Sequence, residues 1–200
     1  MIIKVCGMRD AENIREVEAL GIDLMGFVFW PKSSRYVSER SAYLPQETKH
    51  VGVFVNEDIE QVKHIAEEFA LDFIQLHGSE SPEYAQQLRD RKVIKAFNIA
   101  TKEDLEATKS YEGVVDYFLF DTKGKSVGGN GEKFDWSILD NYVGETPFLL
   151  SGGIGPDDTE RVKAFHHPKC TGIDLNSRFE ISPAFKDINK LREFIKEIRL

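Results

Sequence analysis

Two hundred residues, 41% of them hydrophobic and 11% aromatic, are enough for one sizeable core, so the chain reads as a single domain over residues 1–200. A net charge of -8 excludes a broad nucleic-acid-binding face, because neutralising phosphates needs concentrated Lys and Arg. The opening MIIKVCGMRD has no apolar signal stretch and no run of about 18 uncharged apolar residues follows, so a cytoplasmic protein with no membrane partner and a small-molecule ligand is expected.

Taken in chain order, short β-rich runs fall at IIKVC (2–6), LMGFVF (24–29), HVGVFV (50–55), DFIQLH (72–77), KVIKAF (92–97), DYFLFD (116–121), TPFLLS (146–151) and TGIDL (171–175). Polar segments with helical spacing lie between them. Asp10 opens DAENIREVEAL, Asp58 opens DIEQVKHIAEEFA, Ser81-Pro82 opens SPEYAQQLRD as an N-cap followed by a proline at the first helical position, and Thr101 opens TKEDL. Pro156-Asp157 begins a helix through Phe165, and Asp187 starts the terminal INKLREFIKEIRL. The links after the second and sixth strands are weak or short; SERSAYLPQ offers barely two turns before Pro45. Eight strand–helix pairs in this length predict an α/β fold, a single-domain (β/α)8 TIM barrel, whose parallel strands are covered by helices and so read as near-continuous apolar runs. An open doubly wound sheet is the rival, but the first strand–helix turn, CGMRD, carries no GxGxxG.

In such a barrel the chemistry sits at the carboxyl ends of the strands. Those ends hold Cys6, Phe29 leading to Arg35, Asn56, His77, Phe97, Asp121, Ser151 leading to Gly152-Gly153, and Leu175 leading to Asn176-Ser177. Parity puts Lys4 with Cys6, Gln75 with His77, and Leu119 with Asp121 on faces toward the barrel axis. Lys4, Lys95 and Asp174 are expected to share that interior, either as a structural ion network or as part of a site. Cys6 is either a small core residue or, on an exposed lip beside Gly7, a thiolate of lowered pKa acting as base or nucleophile. Cys170 precedes the eighth strand while Cys6 ends the first, so the two sit at opposite barrel ends, about 15 Å apart for a strand of that length, and thiols rather than a disulfide are expected. Neither cysteine has metal-ligand spacing, and no metal is expected.

Asp121 is either a solvated cap or a general acid or base, and the run GKSVGGNG after it would let the backbone close over a ligand. Gly152-Gly153 and Asn176-Ser177 can turn backbone N–H groups to a phosphate from the loops after strands seven and eight. Arg35 carries donors suited to a carboxylate or phosphate, although a lone loop arginine is often only a surface residue.

Together KVCGMRD, GFVFWPKSSRYVS, VGVFVN, QLHGSE, FDTKGKSVGGNGEKFDW, LSGGIGPDD and GIDLNSRFEISPAFKD resemble the phosphoribosylanthranilate isomerase family of tryptophan biosynthesis, in the expected order from residue 2 to about 190. The resemblance implies a cofactor-free Amadori rearrangement of N-(5'-phosphoribosyl)anthranilate to 1-(2-carboxyphenylamino)-1-deoxyribulose 5-phosphate. Carried over motif by motif, it implies Cys6 as general base, Asp121 as general acid and Arg35 as holder of the anthranilate carboxylate. Gly152, Gly153, Asn176 and Ser177 become the phosphate contacts, with His77 and Gly131 also facing substrate and Lys123 or Lys125 helping to attract it. The chain departs from the family pattern at Asn130, where the family commonly has Thr or Ser, and at Asn176 to Phe179, where it commonly has SSGV; Arg178 and Phe179 are bulkier and bear on the phosphate contacts. The related sugar isomerase of histidine biosynthesis would favour aspartates on strands one and five, where this chain has Cys6 and Phe97. A tryptophan synthase α-like barrel and a catalytically dead barrel are the other readings, and the intact Cys6, Asp121 and Arg35 speak against the last.

Overall fold

The structure, a computed structural model, describes residues 1–122 and 135–200, so the expectations placed on Lys123, Lys125, Asn130 and Gly131 fall outside the described residues. Its strands are β1 (Ile2–Cys6), β2 (Leu24–Val28), β3 (Lys49–Phe54), β4 (Phe73–Leu76), β5 (Lys92–Ile99), β6 (Tyr117–Thr122), β7 (Phe148–Ser151) and β8 (Cys170–Leu175). They close into a parallel barrel in sequence order, β8 returning to pair with β1 in the register Lys4 to Asp174. The α/β barrel expected from the alternation is therefore the fold.

Both faces of the wall are buried, as parallel strands require. The outward faces of β1, β4 and β6, for example Ile3 and Val5, Ile74 and Leu76, and Phe118 and Phe120, join the helices in one continuous core. Inside the barrel, Leu24, Val51, Ile94, Ala96, Leu119 and Leu149 form a second, smaller cluster above the first residues of three strands, Ile2, Phe73 and Tyr117. This apolar plug closes the amino-terminal end and leaves chemistry to the other.

The helices α1 (Ala11–Glu18), α2 (Ile59–Glu68), α3 (Pro82–Gln86), α4 (Thr159–Ala164) and α5 (Ile188–Ile198) start where capping chemistry puts them. The Asp10 carboxylate accepts from the Asn13 N–H, Asp58 from those of Glu60 and Gln61, Ser81 from that of Tyr84, and Asp187 from those of Asn189 and Lys190. The segment opened by Thr101 differs: Lys102–Tyr111 is a 3-10 helix. Its hydroxyls explain the tighter winding, because Thr108 and Ser110 donate to the carbonyls three residues back, Leu105 and Ala107, in competition with a regular ladder. No helix follows β2. Instead Glu18 at the end of α1 accepts from the backbone N–H groups of Gln46, Glu47 and Thr48, which satisfies the strand-like return.

Two expectations need correction here. β5 runs to Ile99 rather than stopping at Phe97, and its inward residues are Ile94, Ala96 and Asn98. Phe97 consequently faces the shell and packs on Tyr111 and Phe118 with ring centroids 5.4 and 5.2 Å away. Lys95 shares that outward parity, so it does not meet Lys4 and Asp174; it lies outside the wall, 3.1 Å from the Glu80 carboxylate and 2.6 Å from the Gly78 carbonyl. Beyond β8 a 3-10 turn over Ser177–Phe179 leads into a two-stranded hairpin, β9 (Glu180–Ser182) and β10 (Phe185–Lys186), laid against α1 by Asn13, whose amide exchanges two hydrogen bonds with the Lys186 backbone at 2.7 and 3.0 Å.

Candidate active site

A cavity of about 440 Å³ opens at the carboxyl ends of the strands. Cys6, Arg35, His77, Asp121, Gly152, Gly153, Asn176 and Ser177 all line it, although they come from the ends of six different strands or the loops beyond them. Trp30, Val28 and Val53 supply an apolar wall beside Cys6.

Cys6 is only 5% exposed, which corrects the expected open lip. Burial pushes its thiol up from the ordinary range; the neighbouring Lys4 ammonium opposes the shift, Asp174 adds to it, and Lys186 opposes it. The sulfur fits because β2 carries a glycine opposite: a methyl carbon on Gly26 would stand 2.7 Å from Cys6 Sγ. Below it Lys4, with no exposed surface, donates to Asp174 at 2.8 Å, and the other carboxylate oxygen accepts from the Ser151 hydroxyl at 3.2 Å. Burial pulls Lys4 down, but Asp174 and Cys6 outweigh it and hold the lysine above its usual value. Both cysteines are free thiols.

Asp121 pairs in register with Asn98 on one side and Ser151 on the other. Its Oδ2 lies 3.8 Å from His77 Nε2. Nδ1 of the same ring is 2.9 Å from the Gln75 side-chain amide, so the two side chains are hydrogen-bonded and Nε2 is the ring nitrogen that faces Asp121. The Gln75 carbonyl oxygen, buried with its residue, has no partner among the described residues.

Arg35 crosses over the loop after β1. A methyl carbon on Gly7, whose φ is +78°, would meet its Cδ at 2.6 Å and Asn176 Oδ1 at 2.9 Å. The guanidinium is held by a fork to Glu180, Nε to Oε1 at 2.8 Å and Nη2 to Oε2 at 2.6 Å. Opposite, Gly152 and Gly153 have φ of 94° and 69°, the left-handed region that glycine enters without strain. Open space surrounds Gly153, so backbone conformation rather than room is what requires glycine there. Asn176 does not turn its carbonyl oxygen to the cavity; it accepts from Lys186 Nζ at 2.8 Å. Of the two bulky departures only Arg178 lines the cavity, while Phe179 is buried against Phe194, ring centroids 5.1 Å apart.

The model of the family described as N-(5'phosphoribosyl)anthranilate (PRA) isomerase matches residues 3–197. The chain belongs to the PRA isomerase family. Among curated relatives, the N-(5'-phosphoribosyl)anthranilate isomerase of Parabacteroides distasonis is 56% identical over 207 residues, covering 99% of this chain and 93% of that protein. The crystal structure of phosphoribosyl anthranilate isomerase from Thermotoga maritima superposes with a TM-score of 0.84 at 32% identity, covering 100% of this chain and 99% of that one. A PRA isomerase crystallised with reduced 1-(o-carboxyphenylamino)-1-deoxyribulose 5-phosphate gives 0.82 at 31% identity, covering 100% and 99%. PRA isomerase membership sets aside the histidine-pathway and tryptophan synthase readings.

Four residues that line or brace the cavity escaped the sequence reading. Asn98 was hidden by ending β5 at Phe97, two residues early, whereas the Ile94, Ala96 parity extends to it. Trp30 stands two residues beyond the end of β2. Glu180 and Lys186 sit in the hairpin beyond the last barrel strand, where a strand-end rule does not look.

Proposed function

We propose that this cavity, in a chain acting as one domain over residues 1–200, converts N-(5'-phosphoribosyl)anthranilate to 1-(2-carboxyphenylamino)-1-deoxyribulose 5-phosphate in tryptophan biosynthesis. The observation that carries the reading is the convergence of Cys6 and Asp121, from β1 and β6, on one cavity in a member of this family. Asp121 donates a proton to the furanose ring oxygen as the anilino nitrogen opens the ring to an iminium. Cys6, as thiolate, removes the C2' proton that the iminium has made acidic, and the resulting enolamine tautomerises to the ketone. One proton has left Asp121 and one has reached Cys6, so a proton returns between them before the next turnover.

The substrate is anionic at both ends. Arg35 takes the carboxylate with the donors that Glu180 leaves free. The backbone of Gly152, Gly153 and Ser177 takes the phosphate, with the Asn176 side chain bracing the loop rather than touching the ligand. His77 stands beside Asp121, Nε2 to Oδ2 at 3.8 Å, and with it faces the sugar from one wall of the cavity. The test is loss of substrate fluorescence on mixing purified protein with freshly generated phosphoribosylanthranilate. Turnover by the wild type with at least about a hundredfold loss in Cys6→Ser and in Asp121→Asn is expected. Two fully active variants would overturn these roles.

A further inference from the structure

Arg35 presents an electrostatic difficulty. Its fork to Glu180 aims the guanidinium, but an arginine neutralised by its own carboxylate is a poor attractor for a second one. The hairpin supplies the missing charge. Lys186, with no exposed surface, donates from Nζ to Glu180 Oε1 at 2.7 Å, so Arg35, Glu180 and Lys186 together carry one net positive charge. Glu180 is saturated: besides Lys186 and the two arginine nitrogens it accepts from the Ala184 N–H at 3.2 Å. Burial acts to raise its pKa, but the hydrogen bonds from Arg35 and Lys186 outweigh it and keep the carboxyl ionised. The lysine is fixed in turn by Asn13, which grips its backbone from α1.

We propose that Glu180 and Lys186 are positioning residues for Arg35: Glu180 occupies the Nε–Nη2 edge and so turns the Nη1–Nη2 edge toward the cavity, while Lys186 restores the positive charge that Glu180 cancels. A guanidinium has five donors, and with two committed to Glu180 the other edge remains free for a bidentate carboxylate. Neither residue touches substrate. Their effect is on capture and alignment of the carboxylate end, and this inference rests on the isomerase reading given above.

The experiment is steady-state kinetics with freshly generated phosphoribosylanthranilate on the wild type, Lys186→Met, Glu180→Gln and the double variant. Absence of wild-type turnover would remove the isomerase reading itself. With turnover present, Lys186→Met, whose cluster is neutral, is expected to raise KM about tenfold, because carboxylate binding is shared by ground and transition states, with a smaller fall in kcat than removal of Lys4 would give, since Lys186 acts on Cys6 more weakly than Lys4 does. The double variant returns the cluster to one positive charge and is expected to recover most of that KM loss, which a lysine serving only to hold the hairpin would not allow. Glu180→Gln, with two uncancelled positive charges, is expected to show a steeper rise of KM with salt than the wild type. An unchanged KM in Lys186→Met, or a double variant no better than the single one, overturns the proposal. Should Lys186→Met fail to fold, the salt dependence of Glu180→Gln decides, and a slope equal to the wild type's overturns it.

Discussion

Lys4 and Lys95 are both buried lysines on barrel strands, each paired with a carboxylate, at 2.8 Å to Asp174 and 3.1 Å to Glu80. They stand on opposite sides of the wall. Lys4 points inward beneath Cys6, and its opposite charges outweigh its burial, so its pKa rises. Lys95 points outward under the 3-10 helix, shares its proton donors with the Leu76 and Gly78 carbonyls, and is dominated by burial, so its pKa falls. The same chemistry serves two ends. Inside the wall it sets the electrostatics around the Cys6 sulfur; outside, it ties β5 to the loop after β4.

The sharpest way to break this contrast is Lys4→Met. Cys6 loses the cation that stabilises its thiolate, so kcat is expected to fall roughly ten- to hundredfold. The limb of the kcat/KM profile that reports the Cys6 thiol should move to higher pH, since Lys4 opposes the rise that burial causes. A limb that stays where the wild type has it would show that Cys6 does not feel Lys4. Next in size is Gly26→Ala, whose methyl would crowd Cys6 Sγ at 2.7 Å. A loss of about tenfold in kcat with about 1–3 kcal/mol of destabilisation is expected, read by turnover and by denaturant unfolding.

On the outer side, Lys95→Met leaves Glu80 buried with, among the described residues, the Asn56 and Gly78 N–H groups as partners of its carboxylate. About 3 kcal/mol is lost when one member of a buried pair is removed, which in a domain of this size lowers Tm by roughly 6–12 °C. Turnover at 25 °C should stay within about threefold of wild type. A hundredfold loss of activity here would erase the distinction between the two sides.

The smallest effect is in the pH dependence of stability. Lys4, with its folded pKa raised, contributes stability that is complete below the unfolded lysine value of about 10.4 and is lost as pH climbs through the folded one. Lys95, with its folded pKa depressed, contributes most above about 10.4 and loses that contribution as pH falls through the folded value. The stability gap between wild type and variant should therefore narrow with rising alkaline pH for Lys4→Met and widen for Lys95→Met. Slopes of the same sign in urea titrations would contradict it.

That pairing also shows where sequence reading stops. The eight runs, the aspartate and serine caps and the cavity-lining set from Cys6 to Ser177 were legible, because strand runs and N-caps are local and the barrel rule ties strand ends to one rim. The side on which Lys95 emerges was not. Both faces of a parallel strand are buried, so a lysine flanked by Ile94 and Ala96 looks the same whichever way it points, and taking the last residue of the apolar run, Phe97, as inward picks the wrong face, because the inward residues are Ile94, Ala96 and Asn98. The 3-10 winding of Lys102–Tyr111 depended on hydroxyl-to-carbonyl bonds that spacing does not reveal. Glu180 and Lys186 brace the cavity residues Arg35 and Asn176 from a hairpin that folds back on α1, a long-range event between residues 173 positions apart.

The barrel seam carries one more consequence. Lys4 and Asp174 belong to the strands that close the ring and are separated by 170 positions along the chain. At a ribosomal pace of about 5–20 residues per second, β1 waits roughly 10–30 s for the strand that neutralises it. Until then a lysine destined for the interior has no counter-charge, so the emerging polypeptide cannot settle the interior around Cys6 first and build outward; that interior is completed by the final act of closure.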